Sequence, residues 1–258
     1  MPVNAHTRQI IELAWSRILG LPDGAISEAA GRPTQHRRLE VPTDAGAGSD
    51  AVAQTREDDQ IATFVRLYGT SVLYGPSWLL TAARDIDDEV LSLESTMIRL
   101  GAGHDARSLG EWVLYYADDV PDIERSSSVA VSYEAADAQD LEAQCPADDV
   151  TEVGLSGLDS TFTLIPDDGA GTPNGRPVAG AGYEEWQGLI GHLGVLVRPD
   201  VRTVGLGSYA AAVAMEEAFT EGLIPQWRAA LGNTGGQRVA GSLGFELAGS
   251  QTTVLFNQ

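Results

Sequence analysis

Leu193-Gly194-Val195-Leu196-Val197-Arg198-Pro199-Asp200-Val201-Arg202-Thr203-Val204-Gly205-Leu206-Gly207-Ser208 reads as a strand, a sharp break, a turn and the start of a helix. The apolar run 193–197 is strand-like, and Pro199 ends it because its ring fixes φ and removes a backbone donor. Gly205 and Gly207 lack a Cβ, so a ligand can come within hydrogen-bonding distance of their main chain. The first N–H groups of the following helix have no partner inside it, and the positive end of the helix dipole lies behind them. A turn of this kind suits a phosphate. Which phosphate compound it takes depends on what surrounds it in the chain.

The chain has 258 residues, enough for one large domain or two small ones, and carries a net charge of −21 with a pI near 4.3. All 16 basic side chains are arginines, since the chain contains no lysine. A phosphate backbone or an anionic membrane face is held by clustered positive charge, so neither nucleic acid nor membrane is expected as a partner. A cationic molecule would gain from the field within a screening length of about 10 Å. A lysine-free composition rich in Ala, Gly, Asp and Arg also follows from genome composition or salt adaptation, so charge alone names no substrate. Cys145, the single cysteine, excludes an intrachain disulfide and argues against a cysteine metal cluster; no metal is expected. Its acidic surroundings are a poor setting for a thiolate. No secretory pattern opens the chain and no apolar run approaches about 18 residues, so it reads as a cytoplasmic protein.

Taken in order, residues 7–20 form a helical pattern ending at Gly20, and 28–58 read as loop, most linker-like at 45–50. Residues 62–74 read as one or two strands around Gly69, followed by a short helix to Ala83, a helix over 87–100 and a strand over 111–117. The polar stretch 118–127 separates this portion from a regular succession. Strand 129–133, helix 136–145 and a short helix 148–155 come first, then strands 161–165, 178–185 and 189–197, with Trp186-Gln187-Gly188 as the turn between the last two. Helix 207–221 ends at Gly222, and strand 223–229, helix 235–243 and a last pair of strands around Gly249 follow. The order is β-α-α-β-β-β-α-β-α-β-β. Residues 1–126 are thus expected to be an α+β region of open role, and 127–258 a domain of their own.

That order, and the opening stretch within it, resembles the GNAT superfamily of acetyl-CoA-dependent N-acetyltransferases. Arg202-Thr203-Val204-Gly205-Leu206-Gly207 fits the family's Arg/Gln-x-x-Gly-x-Gly pyrophosphate loop, and Asn233 with Gly244-Phe245 eleven and twelve residues later fits its Asn…Gly-Phe closing helix. The resemblance covers about residues 127–258. It implies an α+β fold with a mixed, mostly antiparallel sheet flanked by helices. It also implies that the Val195-Leu196-Val197 segment pairs with the pantetheine arm of acetyl-CoA, through main-chain groups of Val195 and Val197. Main-chain N–H groups from Thr203 through Val204, Gly205, Leu206 and Gly207 to Ser208 would hold the pyrophosphate, with Arg202 beside them, and Asn233 would contact the pantetheine arm. Strands 189–197 and 223–229 would splay apart around the thioester, with Pro225 in the second at a position lacking a ladder partner. A dinucleotide site is the competing reading of Gly205-Leu206-Gly207-Ser208-Tyr209-Ala210. Seven residues separate Val197 from Gly205, and no acidic residue stands near 225–230, both against that fold.

The implied reaction is direct attack of an amine acceptor, small molecule or peptide, on acetyl-CoA bound in the same complex. It requires a base for the amine and stabilisation of the developing oxyanion. Glu184, Glu185, His192 and Glu152 are the candidate bases. Simple alternation puts His192 on the face opposite Val195 and Val197 unless a bulge resets the parity. Ala240 stands where many family members carry an acid tyrosine, leaving solvent or Tyr183 for that role. The alternative function is a non-catalytic acyl-CoA-binding regulatory module. Trp227 reads as core packing, and homodimerisation is left open.

Overall fold

The computed structural model describes residues 3–44, 60–121, 123, 128–167 and 173–256. They divide into two compact units. Unit I comprises Met1–Thr7, Tyr116–Arg228 and Gly235–Glu246; unit II comprises Arg8–Tyr115, Ala229–Thr234 and Leu247–Gln258. The division is therefore discontinuous rather than one cut at 126, because the last strand of the chain returns to the unit built mainly from its first half.

Unit II is built from α1 (Ala5–Ile18), α2 (Ala25–Ala30), β1 (Arg38–Pro42), β2 (Ile61–Leu67), β3 (Thr70–Gly75), α3 (Ser77–Ala83), α4 (Asp88–Leu91), α5 (Glu94–Leu100) and β4 (Arg107–Tyr116). Its sheet runs β1-β3-β2-β10-β4, where β10 is Glu246–Leu255. Tyr68 and Gly69 both have positive φ, 49° and 83°, the backbone of a two-residue hairpin turn that follows the strand twist. Phe64, Leu73, Leu79, Met97, Val254 and Phe256 form the core.

Three expectations fail in this unit. The segment expected to be loop, 28–58, contains the end of α2 and all of β1, the latter parallel to β3 from Arg38↔Ser71 to Pro42↔Gly75; residues 45–59 lie outside the described ones. The helix expected over 87–100 is two helices. Leu93 is extended (φ −78°, ψ 126°), the Glu111 carboxylate accepts the N–H of Glu94, and Thr252 Oγ1 donates to the Ser92 carbonyl, so the break is satisfied by side chains. The last pair of strands is one strand, β10, that continues through Gly249. Gly249 faces Leu67 across the β10–β2 ladder, and a Cβ there would sit 1.8 Å from the Arg66 carbonyl oxygen. The glycine marks a close backbone approach instead of a turn.

Unit I carries β5 (Val129–Ser132), α6 (Ala135–Glu142), α7 (Ala147–Val153), β6 (Ser160–Pro166), β7 (Ala179–Trp186), β8 (Ile190–Val197), α8 (Leu206–Thr220), β9 (Ile224–Ala230) and α9 (Thr234–Ser242). Its strands lie in the order β9-β8-β7-β6-β5, antiparallel except for the parallel β8–β9 pair. Up to α9 the order of elements, and the mixed, mostly antiparallel sheet flanked by helices, are those of the α+β arrangement expected above. Gln187 and Gly188, at φ 59° and 67°, turn β7 into β8, and their register runs unbroken from Trp186↔Ile190 to Ala179↔Val197. With no bulge, side chains alternate strictly. Even-numbered β8 residues face α6 and α7, where Leu196 packs with Ala138, Leu141 and Leu155. Odd-numbered residues face α8, where a Cβ on Gly191 would meet Ala218 and one on Gly207 would meet Val195 and Val197. Gly222 (φ 78°) caps α8, donating to Phe219, while Leu223 donates to Ala218.

Substituting Gly249→Ala is expected to lower stability by about 1–3 kcal/mol, because backbone cannot yield as a side chain can. A denaturant midpoint unchanged from the parent would contradict the close approach.

Candidate functional site

The β8–β9 ladder holds only three register pairs, Ile190↔Ile224, Gly191↔Pro225 and His192↔Gln226, while β8 continues to Val197. Backbone direction along β8 follows from one bond: the Arg198 N–H donates to the Val178 carbonyl, so even-numbered main-chain groups point toward β7. Odd-numbered groups point the other way, as the Ile224 N–H donating to the Leu189 carbonyl confirms. The main-chain groups of Val195 and Val197 therefore face the opening beside β8, outside any ladder among the described residues. Those of Leu196 do not; they belong to the β7 ladder, and its side chain is buried under α6. The expected splay is present, and two of the three expected strand residues line it.

Pro225 does not mark that opening in the manner expected. Its carbonyl accepts the N–H of Ala117, and N–H and C=O of one strand residue share a side. The missing donor of Pro225 thus lies on the side away from β8, and the proline stands opposite Gly191 where the two strands are still paired.

Beyond Val197, residues Pro199–Val201 make one 3-10 turn, and Gly205, with φ 89°, opens α8. Thr203 has φ 70°, a conformation a β-branched residue seldom adopts, which bends the exposed loop toward the helix start. Gly207 fits against Val197, where an added Cβ would lie 2.9 Å from Cγ2. The N-terminal N–H groups of the 15-residue α8 thus follow directly on the open edge of β8. Both loop arginines are engaged. Arg202 pairs with Asp149 and donates from Nε to the Val197 carbonyl at 3.2 Å; Arg198 pairs with Asp200 and donates to Gln144. Exposed pairs of this kind contribute about 0–1 kcal/mol, so an anion can compete for either guanidinium. Cys145 lies nearby, and burial raises its pKa, in line with an unreactive thiol.

At the closed end of the opening stands a polar chain that sequence reasoning missed. His192 Nδ1 lies 2.9 Å from Gln226 Oε1, and Gln226 Nε2 donates to the Tyr116 hydroxyl; Gln226 and Tyr116 are both 0 % exposed. Because an amide oxygen only accepts, this orientation places the imidazole proton on Nδ1 and leaves the lone pair on Nε2. Trp186 stacks on the ring at 4.3 Å and donates to Glu184. Burial, reinforced by the Arg228 cation and partly offset by Gln226, lowers the His192 pKa to about 3, so the ring is neutral near pH 7. The glutamine was legible only as a polar residue inside the apolar strand 223–229; its partner depends on the parallel register.

The remaining candidates scatter. Glu184 shares the face of His192, while Glu185 points to the α8 face, its N–H donating to Asp159. Glu152 is exposed on α7. Tyr183 also points to the α8 face, away from His192. Ala240 is 0 % exposed, so the face of α9 that carries it is core. Trp227 packs edge-on against Phe245, as core. Asn233 directly precedes α9 and belongs to unit II, with its N–H on the Ala230 carbonyl.

No known protein family matches the chain, and no curated protein is similar to it. Among solved structures, a GCN5-related N-acetyltransferase from Kribbella flavida is similar at 18% identity and a TM-score of 0.46, covering 65% of this chain and 64% of its own. An acetyltransferase of the GNAT family from Colwellia psychrerythraea aligns at 16% identity and 0.43, over 62% of this chain and 60% of its own, so the chain spans less than two thirds of either protein. A GCN5-related N-acetyltransferase-like protein from Streptococcus suis aligns over 98% of this chain and 99% of its own, at 15% identity and 0.40. At such distances neither activity nor residue roles transfer from one protein to another.

Proposed function

We infer that unit I binds acetyl-CoA and moves its acetyl group to an amine, as a ternary-complex N-acetyltransferase. The observation that carries this reading is the early end of the β8–β9 ladder. It leaves the Val195 main chain and the Val197 N–H open to an extended amide-bearing arm, in line with the helix N-terminus at Leu206, while the Val197 carbonyl accepts from Arg202. An added-strand contact followed by an anion cradle matches the order of groups in a pantetheine diphosphate. Gly207 lets the start of α8 pack directly on Val197, which holds the helix N-terminus close to the open edge of β8.

Acetyl-CoA supplies an acyl thioester, and the acceptor must arrive as a neutral amine. His192 offers Nε2 as a hydrogen-bond acceptor at the closed end of the opening, with Gln226 and Tyr116 holding the ring in one tautomer. With a pKa of about 3 it does not store a proton near neutrality. Proton uptake then falls to Glu184 on the same face or to solvent, and a thiol leaving group tolerates the absence of a tyrosine at Ala240. A binding module without turnover is the competing outcome.

Gly207→Trp is expected to weaken CoA binding at least about tenfold in calorimetry, since a side chain there meets Val197 and must push the start of α8 off the edge of β8, with thermal melting reporting the fold. Unchanged affinity would remove the loop assignment, and CoA binding without thiol release on any amine would favour the non-catalytic module. For His192 the sign is set by a folded pKa of about 3 against an ordinary 6.5. The unfolded chain binds the extra proton first, so this stabilisation is complete above pH 6.5 and is lost as the pH falls toward 3. Ring NMR shifts should accordingly stay those of a neutral Nδ1–H imidazole through pH 5; a midpoint near 6.5 would refute the buried network.

A further inference from the structure

The last acceptor on the open edge of β8 is occupied by the chain itself. Arg202 leaves the 3-10 turn in an extended conformation (φ −66°, ψ 157°) and its Nε donates to the Val197 carbonyl at 3.2 Å. Nη2 of the same guanidinium pairs with the Asp149 carboxylate. One side chain thus covers the end of the strand edge and is held there by an acid from another element.

Packing fixes that acid in place. Asp149 lies on α7, whose Val150 and Val153 pack against the cluster of Ala138, Leu141, Leu155 and Leu196. A Cβ on Gly194 of β8 would stand 3.1 Å from Val153 Cγ1, so α7 sits directly on the strand. Gly154, with φ 57°, ends the helix and donates to the Val150 carbonyl. Arg202 and Asp149 are 53 residues apart in the chain, so their pair ties the loop to a separate helix. Arg198 differs, because its partner Asp200 is two residues away and moves with the same loop. The Arg202 and Asp149 side chains are 45 % and 34 % exposed, so water screens the pair and a multiply charged anion can displace the carboxylate.

We propose that Arg202 stands in for the donor in the ligand-free chain, and that Asp149 sets the affinity with which the donor replaces it. The inference rests on the acetyl-CoA reading of unit I. An extended arm paired along β8 needs the Val197 carbonyl for one of its amide N–H groups. The carbonyl exchanges the Arg202 Nε–H for that amide, and the guanidinium exchanges Asp149 for the diphosphate. Each hydrogen bond given up is replaced by one of the same kind, so the exchange costs little. An arm without phosphate must still displace Nε from Val197, yet it gives the guanidinium no new partner. Arg202 and Asp149 together therefore favour a diphosphate-bearing thiol over the bare pantetheine arm.

Calorimetric titration of the full chain with CoA and NMR titration with pantetheine test this. Asp149→Asn is expected to tighten CoA binding about threefold. Asp148, one residue earlier on α7, forms no ion pair among the described residues. Asp148→Asn removes the same charge and should shift CoA affinity by less than about twofold. Arg202→Ala should act with opposite sign on the two probes, weakening CoA about fivefold or more and tightening pantetheine about twofold. A plain counter-charge at Arg202 would leave pantetheine unchanged. The proposal is overturned if CoA affinity does not rise in Asp149→Asn, if Asp148→Asn gains as much, or if Arg202→Ala does not improve pantetheine binding. A parent chain that binds neither probe overturns the acetyl-CoA reading itself, and this inference with it. Thermal melting checks that each variant is folded.

Discussion

The proposed site in unit I depends on where one ladder stops. Were β8 and β9 paired along their full length, the Val195 and Val197 main chain would be satisfied within the sheet, and no extended ligand could reach it. Because pairing ends at His192↔Gln226, the sheet has an internal edge, and buried or half-buried backbone donors and acceptors there need partners. An edge of this kind is usually a hazard, open to any passing strand. Here the hairpin with β7 holds one side of β8 through an unbroken register, α8 covers one face, and the strand leads on to the N-terminus of that helix. The same stop places His192 and Gln226 as the last pair before the opening, where a hydrogen bond between them ties the strands together.

Electrostatics around the opening runs against the composition of the chain. A protein with net charge −21 keeps two arginines beside the proposed diphosphate cradle, each neutralised by an aspartate that an incoming anion can replace. On the α6–α7 face, Arg228 is itself largely buried, which lowers its pKa, and its charge helps keep His192 neutral. On the α8 face, Asp159, Glu185, Glu217 and Glu221 stand beside aromatic rings and form no ion pair among the described residues. The two faces of one sheet thus carry side chains of different charge. Separation of this sort arises because side chains on a regular strand alternate: Glu184 and Glu185 are neighbours in sequence yet serve opposite faces.

Local features were legible where a few adjacent residues determine the backbone. Gln187-Gly188 and Tyr68-Gly69 adopt the left-handed conformations their hairpins need, and Gly222 ends α8 as a helix-capping glycine does. Misreadings arose where distant residues decide. Gly249 looked like a turn, but the Arg66 backbone beside it explains why no side chain fits. Ser92-Leu93 carried no breaker, and the interruption there is stabilised by Glu111 and Thr252, far away in the chain. The strand β1 was hidden among turn-forming residues because its support is the parallel edge of β3. Pro225 suggested the right neighbourhood through the wrong side of its strand.

By itself the sequence determined the succession of elements in residues 128–242 and the glycine-marked start of α8, since each depends on contacts within a turn or two of the chain. Only the tertiary structure decided how far β8 and β9 pair, which main-chain groups face the opening, and that His192 is neutral with its proton on Nδ1. It also decided that the last strand belongs with the first half of the chain. The physical reason is common to all of these. Ladder ends, burial and the field at a titrating group are set by residues tens of positions apart, and no periodicity in a single chain records which of them will meet.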